Sequence, residues 1–257
     1  MTADTKPGGA RGWVLVTGAS RGIGRAVALA VAALGHPLVL WARTTDDLAS
    51  LAAEIRERWG TEVRVATVDV AQADQVDQAV TASLAGIDSL RAVVVNAGGG
   101  IWGSLADMDA GQWREVLGAN LDGAFHTLKA TEPLLRARPG SQIIGLASDS
   151  SYNSFPQRGA YCASKAGFLS LLETARGELR ADGVRVTALV PSRVDTYFRG
   201  KQPGARPEAL SMAEIADVVA MLFSVPSRVE IRELHLSSIH STFGMRTEVC
   251  TKEAQDD

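Results

Sequence analysis

From Trp13 onward, short apolar runs and longer amphipathic stretches alternate without an interrupting linker. Trp13-Val14-Leu15-Val16-Thr17 is apolar and rich in β-branched residues, the pattern of a buried strand, and the Ala-rich stretch from Arg25 to Leu34 reads as a helix. Carried along the chain, this reading predicts strands over 12–17, 37–42, 62–68, 91–96, 142–147, 184–190 and 231–236. It predicts helices over 22–34, 46–59, 72–85, 111–136, 159–181 and 213–223. Such alternation means an α/β fold: a parallel sheet with helices on both faces, joined by right-handed crossovers. The helices 111–136 and 159–181 are apolar beyond a single stripe, as Phe168, Leu169, Leu171 and Leu172 show, so a second surface is expected to bury them.

Length and composition narrow the reading. A chain of 257 residues, 46% hydrophobic, suits one α/β domain with a large core. The net charge of −3 gives no footprint for nucleic acid or an anionic membrane. The longest wholly apolar run, Ala26 to Leu34, is too short to span a bilayer. Residues 1–11 lack the apolar core of a signal peptide and read as a flexible tail, 12–240 as the domain, and 241–257 as a polar C-terminal tail. Two cysteines, Cys162 and Cys250, suggest no disulfide framework, so a reducing cytoplasm is expected. His235 and His240 have no partner pattern for a metal, and none is expected.

Two motifs carry chemistry. After the first strand comes Gly18-Ala19-Ser20-Arg21-Gly22-Ile23-Gly24, then a helix. A strand, a glycine turn and a helix make a phosphate-binding corner, in which unpaired N–H groups of the helix N-terminus face a pyrophosphate. The second motif is Tyr161-Cys162-Ala163-Ser164-Lys165. Four residues apart, a phenol and an ammonium share one helix face, where the ammonium is expected to lower the phenol pKa toward the working range of an acid or base.

With these motifs, and with Asn96-Ala97-Gly98, Asn120 and Ser148 between them, the stretch from about Gly12 to Thr196 resembles the short-chain dehydrogenase/reductase family. The resemblance implies a single Rossmann-type doubly wound sheet of seven strands in the order 3-2-1-4-5-6-7. It implies a catalytic set of Asn120, Ser148, Tyr161 and Lys165, with spacing favouring Ser148 over Ser150 and Ser151. In that set Ser148 hydrogen-bonds a substrate carbonyl, Tyr161 protonates it, Lys165 tunes Tyr161 and contacts a nicotinamide ribose, and Asn120 holds a water leading to solvent. In such sheets ligands bind outside the carboxyl ends of the strands, where Thr17–Gly24, Asn96–Gly100, Ser148 and Pro191–Thr196 all fall.

Cofactor choice is read at the end of the second strand. Ala42 stands about where an NAD-preferring fold places an acid, and Arg43 and Arg21 supply guanidinium groups suited to a 2′-phosphate, so NADP(H) is expected. The expected cofactor contacts are Gly18, Ser20, Arg21, Gly22, Ile23, Gly24, Arg43, Thr44, Asp69, Val70, Asn96, Ala97, Gly98, Tyr161, Lys165, Pro191, Ser192, Val194 and Thr196. Asp69 is also a possible helix cap before Ala71. The aromatic residues Trp102, Tyr152, Phe155, Tyr197 and Phe198, with Ser150 and Ser192, are expected to line the substrate pocket, under a loop from Tyr197 to Ser211 that serves as a lid. The sequence thus reads as an NADPH-dependent reductase of a bulky, flat ketone, similar to ketoreductases of aromatic polyketide (angucycline-type) antibiotic biosynthesis. A dehydrogenase of a small hydroxylated metabolite, such as a 3-hydroxy acid, and a non-catalytic NADP-binding regulator are the alternatives. By the same resemblance the chain is expected to form a homotetramer, or failing that a dimer.

Overall fold

The computed structural model describes residues 11–197, 200 and 202–241. The N- and C-terminal tails expected from the sequence lie outside these residues except for Arg11 and Ser241, and so does Phe198. Seven parallel strands form one sheet in the order β3-β2-β1-β4-β5-β6-β7. They are β1 (Trp13–Thr17), β2 (Leu38–Ala42), β3 (Val63–Thr67), β4 (Leu90–Val95), β5 (Gln142–Leu146), β6 (Arg185–Pro191) and β7 (Glu233–Leu236). Every residue of β2, β4, β5 and β6 is buried, because helices cover both faces and leave no solvated side for polar alternation.

The helices are α1 (Gly22–Ala33), α2 (Thr45–Trp59), α3 (Ala73–Ser83), α4 (Ala110–Leu117), α5 (Gly123–Arg136), α6 (Gly159–Leu179) and α7 (Met212–Ser224). Val27 of α1, Leu48 of α2 and Ile215 of α7 share one core with the strands, and Val76 of α3, Leu128 of α5 and Phe168 of α6 share the other. Capping boxes start two of the helices: Asp109 with Gln112 at α4, and Ser211 with Glu214 at α7.

Two boundaries differ from the sequence reading. The helix expected over 111–136 is broken by a π turn, Gly118–Asp122, which separates α4 from α5. One inserted residue shifts helical phase without removing apolar positions, so periodicity does not reveal it. The helix expected over 159–181 closes in a tight turn at Arg180–Asp182, where Gly183 at φ 74° ends it.

Candidate active site

The carboxyl end of β1 delivers Thr17 and the glycine loop to the middle of the sheet. Thr17 Oγ1 accepts hydrogen bonds from the backbone N–H groups of Asn96 and Ala97, each at 3.0 Å. The Asn96 amide donates to the carbonyl oxygens of Thr17 at 2.9 Å and Gly18 at 3.3 Å. The end of β4 therefore holds the loop in shape, with the Asn96 side chain spent on that task. A Cβ on Gly24 would lie 2.2 Å from the Gly18 carbonyl oxygen, and one on Gly18, which has φ +64°, 2.9 Å from the Ala97 Cα. Around Gly22 a Cβ would meet nothing within 4 Å, so the outer side of the loop is open.

That open cradle fits a diphosphate. Helix α1 starts at Gly22 with no side-chain cap from Arg21 and no acidic residue in its first turn, which leaves its N–H groups to an outside anion. Ser20 and Ile23 stand half-buried beside it. Ala42 at the end of β2 is buried and offers no acid to a ribose, while Arg43 and Thr44 just beyond it are exposed. The Arg21 guanidinium lies over the Tyr197 ring, 6.0 Å from its centroid. A guanidinium just beyond β2 with no acid at Ala42, and a second in the glycine loop, suit the extra phosphate of NADP(H) over the bare hydroxyl of NAD(H). Asp69 Oδ1 accepts from the Ala71 N–H at 3.1 Å in a local turn, and the N-cap of α3 is Gln72, so Asp69 is not the helix cap. Val70 is buried, and its carbonyl oxygen lies 2.9 Å from His126 Nδ1.

Asn120 sits within the π turn, buried, with its amide donating to the Gly99 carbonyl at 2.9 Å and to Ser164 Oγ at 2.8 Å. Its Oδ1 accepts from the Gly99 N–H at 2.8 Å, and a Cβ on Gly98 would lie 2.5 Å from that oxygen. The turn thus ties the segment after β4 to α6. Ser148 follows β5 and begins a short helical turn, Asp149–Ser151. Its Oγ accepts from the Ser150 N–H at 3.1 Å and donates to Asp149 Oδ1 at 2.9 Å.

Tyr161 and Lys165 lie one turn apart near the start of α6, and the Tyr161 hydroxyl hydrogen-bonds Ser148. Lys165 Nζ donates to the Leu146 carbonyl at 2.7 Å and stays 5.9 Å from the centroid of the Tyr161 ring. The expected lowering of the phenol pKa by Lys165 does not arise from this geometry. Burial pushes the Tyr161 phenol up to about 12; the Ser148 hydrogen bond opposes that shift, and the Asp149 charge adds to it. Burial alone brings the Lys165 ammonium down to about 8. The pair is therefore a protonated phenol beside a partly desolvated cation.

On the substrate side, the Trp102 and Tyr161 rings lie 5.3 Å apart, centroid to centroid. The Arg158 guanidinium stacks over Trp102 at 5.6 Å and over Phe155 at 4.7 Å. Beyond Ser148 opens a cavity of about 300 Å³ lined by Asp149, Tyr152, Asn153, Ser192 and His235 among others. Tyr152 OH donates to Glu233 Oε2 at 2.5 Å, and His235 Nε2 lies 3.0 Å from the same oxygen. Ser150, expected to face the substrate, is buried, with its hydroxyl donating to Asp149 Oδ1 at 3.3 Å; it supports the wall from behind.

Pro191 ends β6 in the core, and the Ser192 N–H donates to the Leu236 carbonyl at 2.8 Å, which ties this turn to β7. The loop expected to act as a lid is anchored on its return limb. Val194 pairs with Leu210, Arg193 bridges to Glu208 at 3.3 Å, and Arg206 lies against Asp195 at 3.8 Å. The Thr196 carbonyl accepts from Arg206 at 3.2 Å. Asp149, Asn153, Glu233 and His235 went unrecognised in the sequence. The one available signal was an acid directly after the Ser148 position; Asn153 reaches the cavity through the turn that follows, and Glu233 and His235 only through the pairing of β7 with β6.

A profile of the short chain dehydrogenase family matches residues 12–206, covering the cradle, Asn120, Ser148, Tyr161 and Lys165. The chain belongs to the short-chain dehydrogenase family. This short-chain dehydrogenase is 31% identical over 226 residues to an oxidoreductase of Staphylococcus epidermidis, covering 88% of this chain and 96% of that one. It is 32% identical over 231 residues to a sepiapterin reductase of Chlorobaculum tepidum, covering 87% and 94%. An alcohol dehydrogenase of the archaeon Thermococcus sibiricus, solved with 5-hydroxy-NADP, superposes with a TM-score of 0.86 at 34% identity, covering 90% of this chain and 98% of that one. The dehydrogenase is thus an oxidoreductase of the alcohol/ketone class. Among the described residues no group of three metal-ligating side chains forms, and no helix is long and apolar enough to cross a membrane.

Proposed function

We propose that this short-chain dehydrogenase reduces a ketone to a secondary alcohol with NADPH. The observation that carries the reading is the Tyr161 hydroxyl: it bonds to Ser148, keeps its proton with a pKa pushed up to about 12, and stands one helical turn from Lys165. NADPH supplies a hydride to the carbonyl carbon. The proton on the carbonyl oxygen comes from Tyr161 Oη, and Ser148 Oγ donates a hydrogen bond to that oxygen as charge develops there. Lys165, anchored to Leu146, presents its ammonium to the cofactor ribose. Because the Asn120 side chain is engaged by Gly99 and Ser164, a water returning the proton is held by a backbone carbonyl of the π turn. Arg43 and Arg21 take the 2′-phosphate.

For the substrate, a bulky flat ketone of the aromatic polyketide kind is the reading favoured by the rim of the site. Leu105 is 80% exposed, Tyr152 47% and Tyr197 37%; all three flank elements of the site, with Phe155 and Trp102 half-buried. An apolar polycyclic ligand covers such a rim, whereas a small metabolite leaves it in water. A free 3-hydroxy acid brings a carboxylate toward Asp149 and Glu233, which repel it. A regulator has no use for the complete set of Asn120, Ser148, Tyr161 and Lys165. The same reading makes the protein a cytoplasmic enzyme, as the free buried thiol of Cys162 suits, and a homotetramer built on α4, α5 and α6.

The test is a panel of polycyclic aromatic ketones with NADPH, run beside 3-hydroxy acids with NADP+. NADPH consumption with the ketones is expected; turnover confined to the hydroxy acids contradicts the substrate reading.

A further inference from the structure

Asp149 is the acid directly beside Ser148 at the reacting end of the site, and the mechanism above does not use it. It stands directly after Ser148, and Oδ1 serves the protein by accepting from Ser148 Oγ at 2.9 Å and Ser150 Oγ at 3.3 Å. Its other oxygen, Oδ2, is shut off from solvent and has no hydrogen-bond partner among the described residues. Asp149 forms no ion pair among them either. Leaving one oxygen of a carboxylate dry and unpaired is costly, and orienting Ser148 requires only the other one. Asp149 lines the 300 Å³ cavity, as does Ser192, whose Oγ is likewise buried without a partner. Glu233, the nearest other acid at the cavity mouth, is already held by Tyr152 and His235.

We infer that Asp149 selects the substrate by accepting a hydrogen bond from a hydroxyl on the ketone, close to the carbonyl that is reduced. The inference rests on the reductase reading and adds the class of ketone: neutral and hydroxylated. Ser148 Oγ is the common neighbour. It donates to the carbonyl oxygen from one side and touches Asp149 on the other, which puts the substrate hydroxyl on the Asp149 side of the carbonyl. A hydroxyl on a carbon beside the carbonyl or the next one along is the short reach put to the test. A substrate hydroxyl on Oδ2 draws on the same carboxylate charge, weakens its hold on the Ser148 hydrogen at Oδ1, and so releases that hydrogen toward the carbonyl. A carboxylate at the same place on the substrate is repelled.

The test measures kcat/KM with NADPH for α-tetralone, its β-hydroxy derivative, and the derivatives bearing a carboxylate or an amine in place of that hydroxyl. The wild-type chain is compared with Asp149→Asn, close in shape, and Asp149→Ala. The wild type is expected to prefer the hydroxy ketone over α-tetralone by about tenfold or more, the worth of a charge-assisted hydrogen bond. In Asp149→Ala that ratio falls to about unity, and in both variants the discrimination against the carboxylate weakens by about tenfold, whatever happens to absolute rates. If Asp149 only braces Ser148, all four ketones lose rate together and the ratios stay as in the wild type; that result overturns the inference. A wild-type preference for the amine over the hydroxyl overturns it too. A hydroxyl preference lost while α-tetralone is still reduced supports it and leaves the reductase reading standing. No reduction of any ketone by the wild type defeats that reading and this inference with it.

Discussion

Tyr161 and Lys165 show how burial decides chemistry at the scale of single side chains. Desolvation moves the two groups in opposite directions, the phenol up to about 12 and the ammonium down to about 8, so Lys165 is the one that titrates in the working range. As pH rises through about 8, Lys165 loses its charge and its attraction for the ribose, while Tyr161 keeps its proton. The expected outcome is a basic limb near pH 8 in kcat/KM for NADPH in the reductive direction. A profile flat to pH 10 contradicts this assignment. Arg43 gives a second test at this scale. Arg43→Ala should raise the NADPH Michaelis constant by roughly ten- to a hundred-fold, the worth of a lost charge-assisted contact of about 1.5–3 kcal/mol, and leave NADH nearly unaffected. Equal kinetics with both cofactors in the unmutated enzyme would sink the cofactor reading.

At the scale of elements, most boundaries were legible because the strands are buried on both faces and read as unbroken apolar runs between turn signals. β1 to β6 begin and end within one residue of the runs in the sequence, and β7, an edge strand of alternating polarity, begins two residues later than expected. Of the residues proposed for catalysis, Tyr161 and Lys165 were legible through spacing along one helix and Ser148 through its place after one strand. The π turn was not, since an inserted residue leaves the apolar pattern intact, and Asp149 with its neighbours was not, since β7 brings Glu233 and His235 to the cavity from about 80 residues away in sequence. The glycine loop offers a test of element geometry. Gly24→Ala places its Cβ 2.2 Å from the Gly18 carbonyl and must open the loop, whereas Gly22→Ala meets open space and bears only the strain of φ +63°. Thermal melting should therefore show a larger loss for Gly24→Ala, by about 1–3 kcal/mol, than for Gly22→Ala, at about 1 kcal/mol. Equal losses would mean that the loop is not locked against Asn96 and Gly18.

For the whole molecule, the apolar arcs expected to need a partner are partly satisfied within the chain. Phe168 and Leu172 of α6 are buried in its own core, and Leu169 and Leu171 pack half-buried against it. The apolar surface left on these helices is elsewhere: Trp113 of α4 is 38% exposed and Phe125 of α5 is 48% exposed. The proposed self-association across α4 and α5 around a twofold axis would cover both. Light scattering at micromolar concentration should return a tetramer, or a dimer if only this face is used, and a monomer mass would rule out both. The reaction proposed for this fold is hydride transfer from NADPH to a carbonyl carbon with the proton from Tyr161. NADPH carrying deuterium at its reactive nicotinamide carbon tests that most directly, with the alcohol product read by mass and by position of the label. The account predicts deuterium on the carbinol carbon from the wild type. It predicts no turnover from Tyr161→Phe, with NADPH binding retained. Label found elsewhere, or most of the activity surviving in Tyr161→Phe, would contradict it.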